Sequence, residues 1–190
     1  NVDKSFRRGI ELGTKIFLVK KANQSIILHA NAAFSANKIQ QTQASWIDYA
    51  TYEVVDSNFT NVDIAYSPNQ VGATGLEYTY LSPIRNGKSH LIKILYYHKW
   101  VGQQYLDNTQ DKTRMINAYH FGELTTAYTF KWKQNRSITL RLQALNVLNN
   151  YYVNNGYTWG YFYGDRNLVQ EVFVFPSAPR NFMGGISLNF

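Results

Sequence analysis

Alternation of apolar and polar residues, repeated in seven runs along the chain, is the feature that most limits its fold. Side chains of a β-strand point to opposite faces in turn, so such a run predicts a strand with one apolar and one polar face. The runs cover residues 5–18, 25–35, 71–81, 90–101, 119–132, 137–148 and 182–190. The remaining segments show no convincing helical periodicity. The sequence therefore predicts an all-β chain of about seven amphipathic strands.

The length of these runs distinguishes between two ways of using an apolar face. Most of the runs are ten to fourteen residues long, whereas strands of water-soluble proteins cluster near about five or six residues. A tilted strand needs about nine to eleven residues to cross a bilayer. Aromatic residues gather towards the ends of the apolar faces. These features favour an antiparallel up-and-down transmembrane β-barrel.

The connections between the runs alternate between short and long. The short ones are residues 19–24, 82–89 and 133–136, and the long ones are residues 36–70, 102–118 and 150–180. Outer-membrane barrels have short periplasmic turns and longer extracellular loops. Single-chain bacterial barrels have an even number of strands, and an open sheet would leave unpaired edges in lipid. Seven strands are therefore expected to be the C-terminal part of a larger barrel.

Four short motifs resemble the C-terminal barrel region of TonB-dependent outer-membrane receptors. They are Arg8-Gly9-Ile10-Glu11-Leu12, Ser67-Pro68-Asn69, Asn146-Val147-Leu148-Asn149 followed by Tyr151-Tyr152, and Phe175-Pro176-Ser177-Ala178-Pro179-Arg180-Asn181-Phe182. Their order and spacing extend over essentially the whole chain. The resemblance implies that residues 1–190 are the C-terminal portion of one barrel of about 22 strands. The plug domain and the N-terminal strands of that barrel are then absent from this chain.

The same resemblance implies a location, an activity and partners. The location is the outer membrane of a Gram-negative cell, in contact with outer-membrane lipid. The activity is active import of a scarce nutrient such as a ferric siderophore, haem or cobalamin, driven by the TonB complex through the missing N-terminal part. Similarity to outer-membrane proteins also implies that the barrel-assembly machinery reads a terminal Phe preceded by alternating apolar residues. Ile186, Leu188 and Phe190 match that signal.

The sequence contains no arrangement typical of catalysis, and we predict that the protein is not an enzyme. The histidines are not spaced as metal ligands, and residues 107–111 lack the glycine and distal glutamate of a calcium loop. We therefore expect no metal site and no cofactor. The net charge of +7 is scattered over turns and strands without a nucleic-acid-binding motif, so we expect no nucleic-acid partner.

Recognition of a small nutrient ligand is the remaining role, and aromatic residues of the long connections are the candidates. They are Tyr157, Trp159, Tyr161, Tyr163 and Trp46. Exposed aromatic rings supply stacking area, which suits a flat chelate, a corrin or a sugar. The alternative is that these rings pack their own loops or belong to an aromatic girdle. On the polar face, Lys99, Glu123, Arg141 and Gln143 are expected to face the lumen.

Two other functions stay open at this point. A passive outer-membrane porin or adhesive barrel would share the strands, but a porin should have a constriction loop rich in Asp and Glu, and these loops are mostly neutral. A soluble β-sandwich that binds glycans through its aromatic cluster would also show alternation. The sandwich predicts that the apolar faces meet in a core, whereas a membrane barrel predicts that they stay uncovered.

Overall fold

The chain is all-β in the computed structural model, which describes residues 4–133, 136–164 and 167–190. The strands are β1 (Lys4–Lys20), β2 (Gln24–Asp48), β3 (Glu53–Asp63), β4 (Gln70–Leu81), β5 (Lys88–Val101), β6 (Gln104–Tyr105), β7 (Met115–Ile116), β8 (Tyr119–Trp132), β9 (Ser137–Leu145), β10 (Val153–Phe162), β11 (Leu168–Pro176) and β12 (Asn181–Asn189). Within the described ranges, a single 3-10 turn at Lys112–Arg114 is the one helical element. The all-β prediction is confirmed.

No helix among the described residues is both long enough and apolar enough to cross a membrane.

The seven predicted runs form one antiparallel sheet in chain order, β1-β2-β4-β5-β8-β9-β12. The sheet is strongly curled, in the form of a half-barrel. Strand β9 ends three residues before its predicted end because Asn146 adopts a left-handed backbone conformation (φ 48°). The Asn146 side chain then exchanges hydrogen bonds of 2.9 and 3.1 Å with the backbone of Asn150, which closes a turn.

Two of the long connections contain strands that the sequence analysis did not predict. Strand β2 continues to Asp48 and pairs with β3, and strands β10 and β11 form a second hairpin. The outer half of β2 is polar at successive positions from Gln40 to Gln43, so it lacks the alternation that marks a half-buried strand. Backbone pairing with β3 extends this polar part of β2 as a strand.

The strand register places the apolar residues on one continuous face of the sheet. Residues directly opposite each other in an antiparallel pair lie on the same face. One row across all seven strands runs Ile16, Leu28, Leu76, Tyr96, Leu124, Ala144 and Phe182. The pairing keeps even-numbered residues opposite even-numbered ones along this ladder. We call this surface the apolar face and the odd-numbered surface the polar face.

The apolar face is uncovered. Leu142 is 67% exposed and Ile186 is 70% exposed, and no second layer packs on this face among the described residues. Ile27, Ala73 and Val101 on the polar face are instead buried. Because the sheet is a single layer, burial on one side indicates that the sheet curls around that side. We infer from this burial that the polar face is the concave side of the half-barrel.

Aromatic side chains border the apolar face at both ends. One group lies near the short turns, where His90 stacks on Phe130 at 5.1 Å between ring centroids and Phe130 stacks on Trp132 at 5.6 Å. The other lies near the long connections, where His98 and His120 are 5.2 Å apart. On β8, His120 and Phe130 are ten steps apart along the strand, which corresponds to about 33 Å at a rise of about 3.3 Å per residue.

Two glycines make room for aromatic side chains near the long connections. A Cβ atom at Gly122 would lie 2.6 Å from the Tyr96 hydroxyl oxygen, and one at Gly72 would collide with the Trp100 ring. Without a side chain, each glycine lets the neighbouring strand's ring lie across the sheet. The rings therefore lie flat against the apolar face above these glycines.

Candidate functional site

An open cleft of about 420 Å³ lies where the long connections meet, at one end of the sheet. The β2–β3 hairpin, the β10–β11 hairpin and the connection at residues 102–118 each contribute to it. The aromatic, charged and amide side chains that line it include Trp46, Tyr49, Asp107, Asn108, Arg114, Trp159 and Tyr161. The volume lies within the range of roughly 300–1,000 Å³ that is usual for small-molecule sites.

Asp48 fixes the two hairpins to each other. It is buried, and its Oδ1 atom accepts hydrogen bonds from the backbone N–H groups of Ala50 (2.9 Å) and Gly164 (3.1 Å). The backbone N–H of Tyr49 also donates to the carbonyl oxygen of Phe162 at 2.9 Å. A carboxylate that accepts backbone bonds from both hairpin tips holds the aromatic residues of both hairpins at a set distance.

The rings of the two hairpins contact each other edge to face. Tyr49 and Tyr161 lie 5.3 Å apart between centroids with their planes at 75°, and Trp46 meets Phe162 at 5.9 Å and 88°. Edge-to-face contacts are a favoured geometry for aromatic pairs. Trp159 contacts Tyr161 at 5.0 Å and is still 49% exposed. The cluster is therefore ordered, yet it offers ring surface to solvent.

Arg114 joins the 102–118 connection to the β10–β11 hairpin. It is only 2% exposed, and its Nη1 atom donates to Asp107 Oδ2 at 2.7 Å. With the Gln170 side-chain amide oriented to satisfy its neighbours, Arg114 Nη2 donates to the Gln170 oxygen at 2.6 Å, and the Gln170 nitrogen donates to Asp111 Oδ2 at 3.1 Å. The buried cation is thus paired and hydrogen-bonded, as burial of a charge requires.

The 102–118 connection is also braced against the β2–β3 hairpin. Asn108 Oδ1 accepts a hydrogen bond from the backbone N–H of Ala65 at 2.8 Å, and Gln110 Nε2 donates to Asp63 at 3.1 Å. Asp63 in turn forms an ion pair with Lys38 at 2.8 Å. Buried Leu106 and other apolar side chains of this connection pack beneath these contacts. The 102–118 connection is therefore fixed to the β10–β11 hairpin through Arg114 and to the segment around Asp63 and Ala65 through Gln110 and Asn108.

Three of the five predicted binding residues line the cleft, namely Trp46, Trp159 and Tyr161. Tyr157 lies outside it and stacks on Phe173 at 4.8 Å with the planes only 14° apart. Tyr163 is exposed beyond the end of β10 and is also outside the cleft lining. The sequence predicted these residues in a loop, whereas Tyr157, Trp159 and Tyr161 project from strand β10.

Arg114 is the residue of the cleft that sequence reasoning missed, and its role there is to hold the 102–118 connection in place. It lies in a polar connection, and its partners Asp107 and Gln170 are brought to it only by folding. The apolar residues on either side of it, Leu106 and Ile116, were the one local sign that this connection is packed rather than solvated.

The four predicted polar residues lie on the polar face. Lys99 pairs with Ala73, Glu123 with Tyr97 and Gln143 with Met183 in the register, while Arg141 Nη1 donates to Ser187 Oγ at 3.4 Å. They are spread over three strands, and within the described ranges no ion pair joins them. That this face lines a lumen stays a prediction.

The predicted assembly residues lie together on the apolar face. Ile186 pairs with Leu140 and Leu188 pairs with Ile138 on the neighbouring strand β9. All three predicted residues, Ile186, Leu188 and Phe190, are exposed. Their role as an assembly signal stays a prediction.

No protein-family model, no curated protein and no solved structure matches the chain. In the part of the chain that the structure describes, no group of three or more His, Cys, Asp or Glu side chains could hold a metal ion.

We expect the 102–118 connection to loosen in acid through Asp111. Hydrogen bonds from the backbone N–H and the hydroxyl of Thr113 to this carboxylate hold its pKa below the ordinary value. A lowered folded-state pKa stabilises the turn above the unfolded pKa of about 3.9, and this contribution is lost as pH falls through the folded value. The protection of the connection's amides, which is the intrinsic exchange rate at each pH divided by the observed rate, should therefore fall below about pH 4.

The Asp111→Asn variant isolates this effect. Its exchange should be faster than wild type at neutral pH, and the difference should vanish at low pH because both side chains are then uncharged. An unchanged difference between the two proteins from pH 7 to pH 3 would contradict this role for Asp111.

Proposed function

We propose that this chain is part of a TonB-dependent receptor of the Gram-negative outer membrane. The receptor imports a scarce nutrient, of which a ferric siderophore, haem and cobalamin are the classes implied by the sequence resemblance. The observation that carries the proposal is the continuous exposed apolar face, bordered at both ends by aromatic side chains. Binding and passage of a ligand, rather than bond breaking, is the work assigned to this chain.

The dimensions of the apolar face fit a bilayer. The distance of about 33 Å between the aromatic groups lies along the strand, and a tilt of about 45° reduces it to about 23 Å along the membrane normal. The apolar band of outer-membrane barrels is about 25 Å tall and is flanked by aromatic girdles. An apolar surface this continuous is unusual on a soluble monomer, and lipid would cover it.

The free edges of the sheet support a larger barrel. Among the described residues, β1 pairs only with β2, and β12 pairs only with β9. Each unpaired backbone group would cost several kcal/mol in hydrocarbon. Further strands on both edges would satisfy these groups, close the half-barrel and enclose the polar face. A soluble sandwich is disfavoured because, in the part of the chain that the structure describes, no second layer packs on the apolar face.

The position of the cleft indicates which end of the sheet would face the outside of the cell. It lies at the end with the long connections, which is the extracellular end of an outer-membrane barrel. A ligand would be captured there and released along the polar face after the TonB complex displaces a plug domain. The barrel-assembly machinery would insert the protein through the strand that carries Ile186, Leu188 and Phe190.

Fractionation and uptake in a Gram-negative host test this proposal together. The full-length protein should appear in the outer-membrane fraction and migrate differently in gels before and after heating, since folded barrels resist the detergent. Growth that depends on its nutrient should disappear when the tonB gene is deleted. Uptake that survives this deletion would favour the passive porin, and a water-soluble monomer would overturn the membrane assignment.

A further inference from the structure

We propose that the ligand bound by the cleft is a neutral saccharide rather than an anionic chelate. The inference rests on the proposed function only in that the cleft faces the outside of the cell. It narrows the ligand class by the shape, polarity and charge of the groups that line the cleft.

The cleft is bordered by aromatic rings that are open to solvent. Trp159 and Tyr161 project from one strand two residues apart, and Tyr49 meets Tyr161 from the other hairpin at 5.3 Å. Trp159 and Tyr49 are both more than two-fifths exposed. The C–H groups on the face of a pyranose ring pack against such rings, and the aromatic residues lose little conformational entropy in making the contact.

The charged side chains that line the cleft neutralise each other. Asp107 and Arg114 are the charged side chains among the described residues that line the cleft, and they pair with each other at 2.7 Å. Arg114 is also buried, so it has no surface to offer a ligand. An anionic ligand would have to lose its hydration without a cation to replace it, which is costly. A neutral ligand avoids this cost.

Neutral polar side chains also line the cleft. Asn108 accepts a backbone hydrogen bond through Oδ1, and its two amide N–H groups have no partner among the described residues. Thr42 and Gln43 of β2 also belong to the cleft wall, and the side chains of both residue types donate and accept hydrogen bonds. Sugar hydroxyl groups are also donors and acceptors at once. Aromatic rings beside neutral amides and hydroxyls therefore match a saccharide on both counts.

Titration calorimetry on the full-length receptor in detergent micelles tests the inference. The probes are neutral hexasaccharides of glucose, xylose, mannose, galactose and N-acetylglucosamine, with haemin and a ferric tris-catecholate as anionic comparisons. At least one hexasaccharide should bind, and Trp159→Ala should weaken it by about tenfold or more, as removal of a central aromatic contact does. Trp159→Phe, which keeps a ring, should lose less.

Tyr157→Ala is the matched control. Tyr157 lies on the same face of β10 with an exposure of 47%, close to the 49% of Trp159, but it stacks on Phe173 outside the cleft. The control variant should bind the hexasaccharide with unchanged affinity.

The outcomes separate this inference from the proposed function. If no hexasaccharide binds, or if Trp159→Ala leaves its affinity unchanged, the saccharide assignment is overturned. Tight binding of an anionic probe that depends on Trp159 would overturn it too, while leaving import by the receptor intact. Saccharide binding by a protein that fails to reach the outer membrane would support this inference and refute the proposed function.

Discussion

Replacing Leu142 with arginine should destabilise the full-length protein in the membrane by about 2–4 kcal/mol, the cost of a basic residue on the lipid-facing surface near the midplane. Leu142 lies on the apolar face and pairs with Thr126, at the middle of β8. Because Leu142 is 67% exposed, the effect of the substitution depends on whether lipid or water surrounds the apolar face. In a water-soluble protein, an exposed Leu-to-Arg change would alter stability by no more than about 0.5 kcal/mol.

Gln143→Arg is the matched control for this experiment. It introduces the same side chain on the adjacent residue, but on the polar face, where Arg141 already lies. We expect it to leave the free energy of unfolding, measured by urea titration in lipid vesicles, within about 0.5 kcal/mol of wild type. Equal effects of the two substitutions would show that the two faces do not differ in their surroundings.

Replacing Arg114 with alanine should cost about 2–3 kcal/mol in the local stability of the 102–118 connection. Removing one partner of a buried ion pair leaves the other charge without compensation, which costs about 3–5 kcal/mol when both are fully buried. Asp107 keeps 22% exposure of its side chain, so we place the cost lower. Hydrogen exchange of the connection measures it directly, since the loss is local rather than global.

Lys112→Ala is the control for the Arg114 variant. Lys112 is exposed in the same 3-10 turn, and its truncation should change exchange by less than a factor of about 2.5, which corresponds to about 0.5 kcal/mol. Faster exchange in both variants to the same extent would mean that the turn, rather than the Arg114–Asp107 pair, stabilises the connection.

The seven main strands were predictable from the sequence because their pattern is local. Each run carries its own alternation, and the register then follows because a shift of one residue would move the apolar set to the other face. This is why Leu28, Leu76 and Leu124 share a row although they are almost fifty residues apart in the chain at each step.

The hairpins and the cleft could be predicted only in part, because they depend on contacts that are distant in sequence. Trp46 and Trp159 were recognisable as exposed aromatics, but nothing local indicated that Asp48 would join their hairpins through Gly164. The pairing of Arg114 with Gln170 is of the same kind. In contrast, Tyr157 looked equivalent to Trp159 by composition, and only the stacking on Phe173 separates them.

The central claim, that the apolar face contacts lipid, is tested most directly by spin-label accessibility along β9. The 190 residues contain no cysteine. Single cysteines are introduced one at a time at positions 138 to 144 of the full-length protein, with any cysteine outside these residues replaced by serine, and are labelled in vesicles. We predict that labels at even positions are relaxed by oxygen dissolved in lipid, and that labels at odd positions are relaxed by a water-soluble nickel chelate. Access of the nickel chelate to the even positions would contradict the account.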